Sequence, residues 1–338
     1  MIDLYRNEKE VRTLSLIART GVLLLFSLFF MHPAWAQSAD EYHVRWIGAY
    51  PGEKGEQRAN FGQRVSRIVF GQKAQEVVKP FNVIASNKEQ FWVLDQGAGA
   101  IFEVDKGKGA LLRSMKRAGQ EYPSLVGICR MSGGDLLFTD SSLDRVVRMA
   151  GDHLLIFGDS VILDQPTGIA CNRSTGDIWV VETGAHQISR FSSEGLLIGK
   201  IGERGTEPGN FNFPTFIWID QAGRIYIVDS MNNRVQILDR EGSFLGAFGE
   251  SGDATGNMAR PKGVATDSQG HIYVADALFH AVQVFDQDGR FLYSFGSQGQ
   301  DTGEFWMPVG LYIDEQDCIY VADSYNARVQ IFQLEKND

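Results

Sequence analysis

The most regular chemistry-bearing pattern in this chain is a set of six acids, Asp95, Asp140, Glu182, Asp229, Asp276 and Asp323. Each closes a short apolar run such as Ile272-Tyr-Val-Ala-Asp276. Carboxylates recurring at one position are the oxygen donors that a hard cation such as calcium takes. They are also the groups that accept backbone amides in a tight turn. Arg145, Arg234 and Arg328 follow Asp140, Asp229 and Asp323 by five residues, which puts a charge-assisted donor across the next turn. The expectation for all six is therefore structural, with no metal site and no cofactor.

His186 and His280 stand four residues beyond Glu182 and Asp276. Two histidines in non-adjacent segments do not supply the three or four ligands that zinc takes. No Ser/His/Asp set, Cys/His pair or phosphate-cradling glycine loop can be assembled, so catalytic residues are left unassigned. Cys129 and Cys171 occupy similar places in adjacent segments and invite a disulfide. An extra residue between them and the pattern's register leaves their relative facing open, and buried free thiols are the expectation.

What positions these residues is a repeat. Pro214, Pro261 and Pro308 recur at 47-residue intervals, as do Asp229, Asp276 and Asp323. Weaker copies start near Pro80, Gly127 and Pro166, so six acids mark six units. In the fifth unit, four short β-segments (263–267, 271–275, 281–286 and 291–295) are separated by turn residues such as Ser268-Gln-Gly270 and Asp288-Gly289. No stretch beyond residue 36 has helical periodicity long enough to suggest a layer of helices. Four-stranded units repeated radially give an all-β, six-bladed β-propeller with antiparallel blades. The sixth unit stops after three strands, and Tyr42 to Gly48 (YHVRWIG) carries the signature of the missing one. The last blade is therefore expected to be closed by this N-terminal strand, leaving no open edge.

Asp229-Ser-Met-Asn-Asn-Arg-Val-Gln-Ile-Leu238 and Asp323-Ser-Tyr-Asn-Ala-Arg-Val-Gln-Ile-Phe332 resemble the NHL repeat, over a span of about residues 42 to 334. The resemblance implies a six-bladed propeller and makes His186 and His280 the repeat's own histidine. Some relatives are enzymes, among them the lyase that cleaves peptidyl-α-hydroxyglycine and propellers of the gluconolactonase type. Those imply metal ligands gathered in the central channel. Here the strands expected to line the channel are mostly apolar or small, with Asn82 a lone amide. The leading reading is a non-enzymatic scaffold for a protein or peptide partner, the alternative a metal-dependent lyase or hydrolase.

Residues 1–36 read as a signal peptide: Arg6, Lys9, Arg12 and Arg19, then the apolar run Gly21 to Met31, then Ala34-Trp-Ala36. The run is shorter than the roughly 20 residues that span a bilayer. Cleavage leaves a propeller domain at 37–338, exported to the periplasm or beyond, with no stable membrane span. The chain has 42 acidic and 32 basic residues and a net charge of −10, which argues against a nucleic-acid partner. Nothing in the pattern calls for an oligomer, and a monomer is expected.

Candidate binding residues fall on the face that carries the turns between second and third strands and the connections between blades. Phe279, Trp306, Tyr325 and Asn232 are expected to be exposed there, whereas Phe211 and Phe305 share one repeat position and are expected to wedge between blades. The first connection, 49–79, is the longest and adds Arg64, Arg67 and Lys73 to the same face.

Overall fold

The computed structural model describes residues 42–52, 77–105, 109–114, 122–158 and 160–336. Arg64, Arg67, Lys73 and the leader at 1–36 lie outside the described residues. Six antiparallel sheets of four strands each form the six blades of a β-propeller. Their innermost strands are Pro80–Asn87, Leu125–Arg130, Pro166–Cys171, Pro214–Ile219, Pro261–Thr266 and Pro308–Ile313, in blades 1 to 6.

The core is six apolar seams, one between each pair of successive blades. β-Branched and aromatic residues make second strands such as Ile272–Asp276 and Ile225–Asp229 buried throughout, as expected for strands covered on both faces. Phe211 and Phe305 are fully buried in two of these seams.

The sixth seam depends on closure. Tyr42–Tyr50 pairs antiparallel with Arg328–Lys336, from Tyr42 opposite Lys336 to Tyr50 opposite Val329. Val44 and Trp46 pack into the seam between blades 5 and 6, while Ile47 and Tyr50 pack into the seam between blades 6 and 1. Arg45 Nε donates to Glu335 across the pair at 2.9 Å.

In blade 2 the repeat's proline is replaced. Leu125 pairs with Asp140 as Pro80 does with Asp95 and Pro261 with Asp276, which accounts for the displaced Pro123.

The expectation of free thiols at Cys129 and Cys171 is overturned: the two form a disulfide with Cα atoms 5.9 Å apart. The close approach has a local cause. A Cβ on Gly127 would lie 2.2 Å from the carbonyl oxygen of Thr167, so only glycine lets the inner strands of blades 2 and 3 come this near. Cys318 is buried outside the bridge, and its Sγ donates to Gln333 Oε1 at 3.0 Å.

Candidate binding face

Each turn between second and third strands is pinned to the connection that precedes its blade. The backbone amides of Gln96, Ser141, Thr183, Met231, Ala277 and Tyr325 donate to the carbonyls of Lys79, Ser124, Gln165, Asn212, Arg260 and Trp306. The six acids complete this lock and are all 0–1% exposed. Asp95 accepts the amides of Val78, Lys79 and Ala98. Asp140 accepts those of Ser124, Ser142 and Leu143, and Asp276 those of Ala259, Arg260, Leu278 and Phe279.

Blades 4 and 6 add side-chain donors. Asp229 receives Asn232 Nδ2, Arg234 Nε and Gln236 Nε2 at 2.8, 2.8 and 3.1 Å. Asp323 receives Asn326, Arg328 and Gln330 in the same way. Burial raises the Asp323 pKa, against the lowering effect of these donors and of the Trp306 amide. Glu182 is bonded instead by the Asp164 amide, Ser189, Gln187 and Lys200. Oxygens so fully engaged hold loops in place. Among the described residues no three His, Cys, Asp or Glu side chains converge in a way that could hold a metal ion.

The histidines also build loops. His186 Nδ1 accepts the amide of Phe213 at 3.0 Å, and His280 Nδ1 accepts that of Met307 at 3.1 Å. A backbone amide only donates, so each Nδ1 is unprotonated and the ring proton sits on Nε2. Phe213 and Met307 are held at φ 49° and 57°, in the left-handed region. These bonds present Phe213, and Trp306 beside Met307, at the surface.

The face so constructed is apolar. Leu143, Phe213, Met231, Leu278, Trp306 and Tyr325 are all exposed on it. Trp306 and Tyr325 stack at 6.1 Å with their planes 28° apart, and Lys79 Nζ lies 5.8 Å from the Tyr325 ring. Two of the sequence candidates thus meet. Phe279 is only half-buried beside the exposed Leu278, and Asn232 is engaged by Asp229 and the Gly205 carbonyl.

Behind this face, side chains from opposite blades meet across the channel. Phe81 of blade 1 and Phe216 of blade 4 stack at 6.0 Å with an interplanar angle of 20°. Val309 of blade 6 packs into the same cluster. Nearer the other end, Arg173 of blade 3 donates to Tyr312 of blade 6 at 3.0 Å and pairs with Glu315. Trp218 meets Tyr312 edge-on at 5.3 Å. These cross-channel contacts cannot be read from repeat spacing, which shows neighbours but not opposites. A separate cleft at that far end is lined by Asn87, Lys88, Glu89, Gln316, Cys318 and Gln333.

One residue outside the recurring pattern, Lys262, stands at the loop-face mouth. The second residue of each inner strand is Phe81, Val126, Thr167, Thr215, Lys262 or Val309. Lys262 is the single ionisable group in that ring. Burial, helped by the charge of Arg260 and opposed by Asp276, pushes its pKa down to about 8. The signal was visible as the one cation in a position otherwise apolar or hydroxylic.

Comparison with known proteins agrees with this architecture. A six-bladed β-propeller family model matches residues 263–338, and an NHL-repeat model matches residues 163–191. The chain is an NHL-repeat six-bladed propeller. No curated protein matches it by sequence. Among solved structures it is similar to virginiamycin B lyase from Staphylococcus aureus, at 13% identity and a TM-score of 0.55, covering 87% of this chain and 99% of that one. It is also similar to an auxiliary nutrient binding protein from Bacteroides ovatus, at 14% identity and a TM-score of 0.61, covering 87% and 77%. A third is a gluconolactonase from Xanthomonas campestris, at 13% identity and a TM-score of 0.59, covering 77% and 88%. At such identities the likeness concerns the fold alone.

Proposed function

We propose that this protein is an exported, non-enzymatic scaffold whose loop face captures a protein or peptide partner. The observation that carries the reading is the gathering of Leu143, Phe213, Met231, Leu278, Trp306 and Tyr325, all exposed, on one rigidly pinned face. Large apolar side chains exposed together on one face are what a partner covers, and aromatic anchors such as the stacked Trp306 and Tyr325 contribute most to such contacts. Export is supported by the leader pattern at 1–36 and by the Cys129–Cys171 disulfide, which persists in oxidising compartments. The likeness to a nutrient-binding protein is compatible with capture without chemistry. The lyase or hydrolase alternative would need substrate to pass or sit above the Phe81–Phe216 stack.

The test is selection of peptides from a random displayed library on the wild-type protein and on a Trp306→Ala/Tyr325→Ala/Met231→Ala variant. All three side chains are exposed, so the variant keeps its fold. Enrichment on wild type that vanishes on the variant supports the reading. Equal enrichment on both, or none on either, contradicts it.

A further inference from the structure

The loop-face mouth combines three features that the apolar patch alone does not explain. First, Lys262 is half-buried and has no hydrogen-bond partner among the described residues; Arg260 and Asp276 act on it through their charges. Asp276 cannot serve as its partner by default, because four backbone amides already occupy that carboxylate.

Second, the residues next to the starts of the inner strands are basic or uncharged, and the six acids of the same face are engaged in the turns. The residues flanking the first position of each inner strand include Lys79, Arg260 and Lys262 and no acid at all, against a net charge of −10 for the chain. Cations at these positions draw in an anionic group and orient it.

Third, a hydroxyl is left over. Thr183 and Ser230 pair with Thr167 and Thr215 at 2.7 and 2.6 Å. In blade 6 Val309 takes the threonine's place, and Ser324 Oγ, 1% exposed, is left with no partner. A buried polar atom without a partner marks a place where water or a ligand completes the bonding. Lys262 stands on the inner strand of blade 5 and Ser324 on the loop face of the adjoining blade 6, while Phe81 and Val309 hold the ring position of Lys262 in blades 1 and 6.

We propose that this mouth is a receptor for a carboxylate, presented by an acidic side chain or the C-terminus of a bound peptide, with Lys262 taking the charge. The inference rests on the loop-face reading and specifies its ligand. A single half-buried ammonium balances one negative charge. A phosphate brings nearly two and is better matched by a guanidinium fork, whereas Arg260 is exposed. The apolar side chains of Phe81 and Val309 in the same ring suit a ligand whose acid sits beside hydrophobic side chains, which the Trp306–Tyr325 stack would cover.

The experiment uses peptides selected on the wild-type protein. They are expected to be rich in Asp and Glu or to depend on a free C-terminus, and to lose at least about tenfold in affinity on Lys262→Met. Replacing each acid by its amide, one position at a time, and amidating the C-terminus identifies which carboxylate is used and should give the same loss. Should Lys262→Met fail to fold, acetic anhydride labelling of Lys262 in the wild type reads the same point. Acidic peptides then slow labelling, and their amide versions do not. Selected peptides that bind wild type and Lys262→Met equally overturn the carboxylate assignment while the loop-face reading stands. Displacement by inorganic phosphate combined with indifference to amide replacement also overturns it. Failure to select any peptide overturns the loop-face reading itself.

Discussion

A half-buried lysine with no hydrogen-bond partner among the described residues lowers stability, and the size of that effect is open to measurement. Lys262 falls from an ordinary value of 10.5 in the unfolded chain to about 8 in the fold. Because the folded state binds the proton less tightly, the deficit is present in full below pH 8. It shrinks as pH rises between about 8 and 10.5 and is gone above that. At pH 7 the difference corresponds to about 3 kcal/mol, which for a chain of this size is a melting shift on the order of 5 °C. Lys262→Met keeps the length of the side chain and removes the charge, so it should melt higher than wild type at pH 7 and lose that advantage by pH 10.5. Thermal melts of the two proteins from pH 6 to 11 measure it, and other titrating groups cancel in the difference. An unchanged melting temperature at pH 7, or a gain that persists at pH 10.5, would refute the reasoning. A substitution that stabilises the fold while abolishing capture is the usual sign of a residue kept for function.

Three further outcomes are expected. Removing residues up to 50 strips Val44, Trp46, Ile47 and Tyr50 from two seams. At roughly 1 kcal/mol for each partly buried side chain the loss is about 4 kcal/mol, read as a lower denaturation midpoint, and an unchanged midpoint would contradict closure. Cys129→Ala/Cys171→Ala opens a loop of 42 residues and should cost about 2–4 kcal/mol, with the same loss on reducing the wild type; equal midpoints for both forms would argue against the bridge. His271 Nδ1 lies 2.8 Å from Asp267 Oδ2, and that hydrogen bond raises the histidine pKa despite burial. Its contribution is present in full below about pH 6.5 and is lost as pH rises through the folded value. His271→Phe should therefore be more destabilising at pH 5.5 than at pH 8.5, and a pH-independent difference would contradict the pairing.

The architecture was legible because a repeat states its own geometry: one proline and one acid per unit define where each inner strand begins and which strand it pairs with. The arginines placed five residues on point to bonds with the acids, and Asp229 and Asp323 accept from Arg234 and Arg328. Asp140 meets the same need with backbone amides. What the spacing could not convey was distance across the ring. The Cys129–Cys171 bridge depends on how closely Gly127 lets two strands approach, and the Phe81–Phe216 stack joins units 135 residues apart in sequence on opposite sides of the axis. Lys262 escapes a reading built on recurring residues, because its meaning lies in being the exception at its position.

The central claim is that one face of a rigid ring does the binding. Hydrogen exchange of the complex with a selected peptide tests it directly, because the protein offers a competing apolar surface. Leu155, Ile156, Leu197, Ile198, Phe244 and Leu245 are exposed on the outermost strands of blades 2 to 4. Protection confined to the turns carrying Met231, Leu278 and Tyr325 and the connections carrying Phe213 and Trp306 is the predicted result. Protection of the outer strands with the loop face unchanged would contradict it.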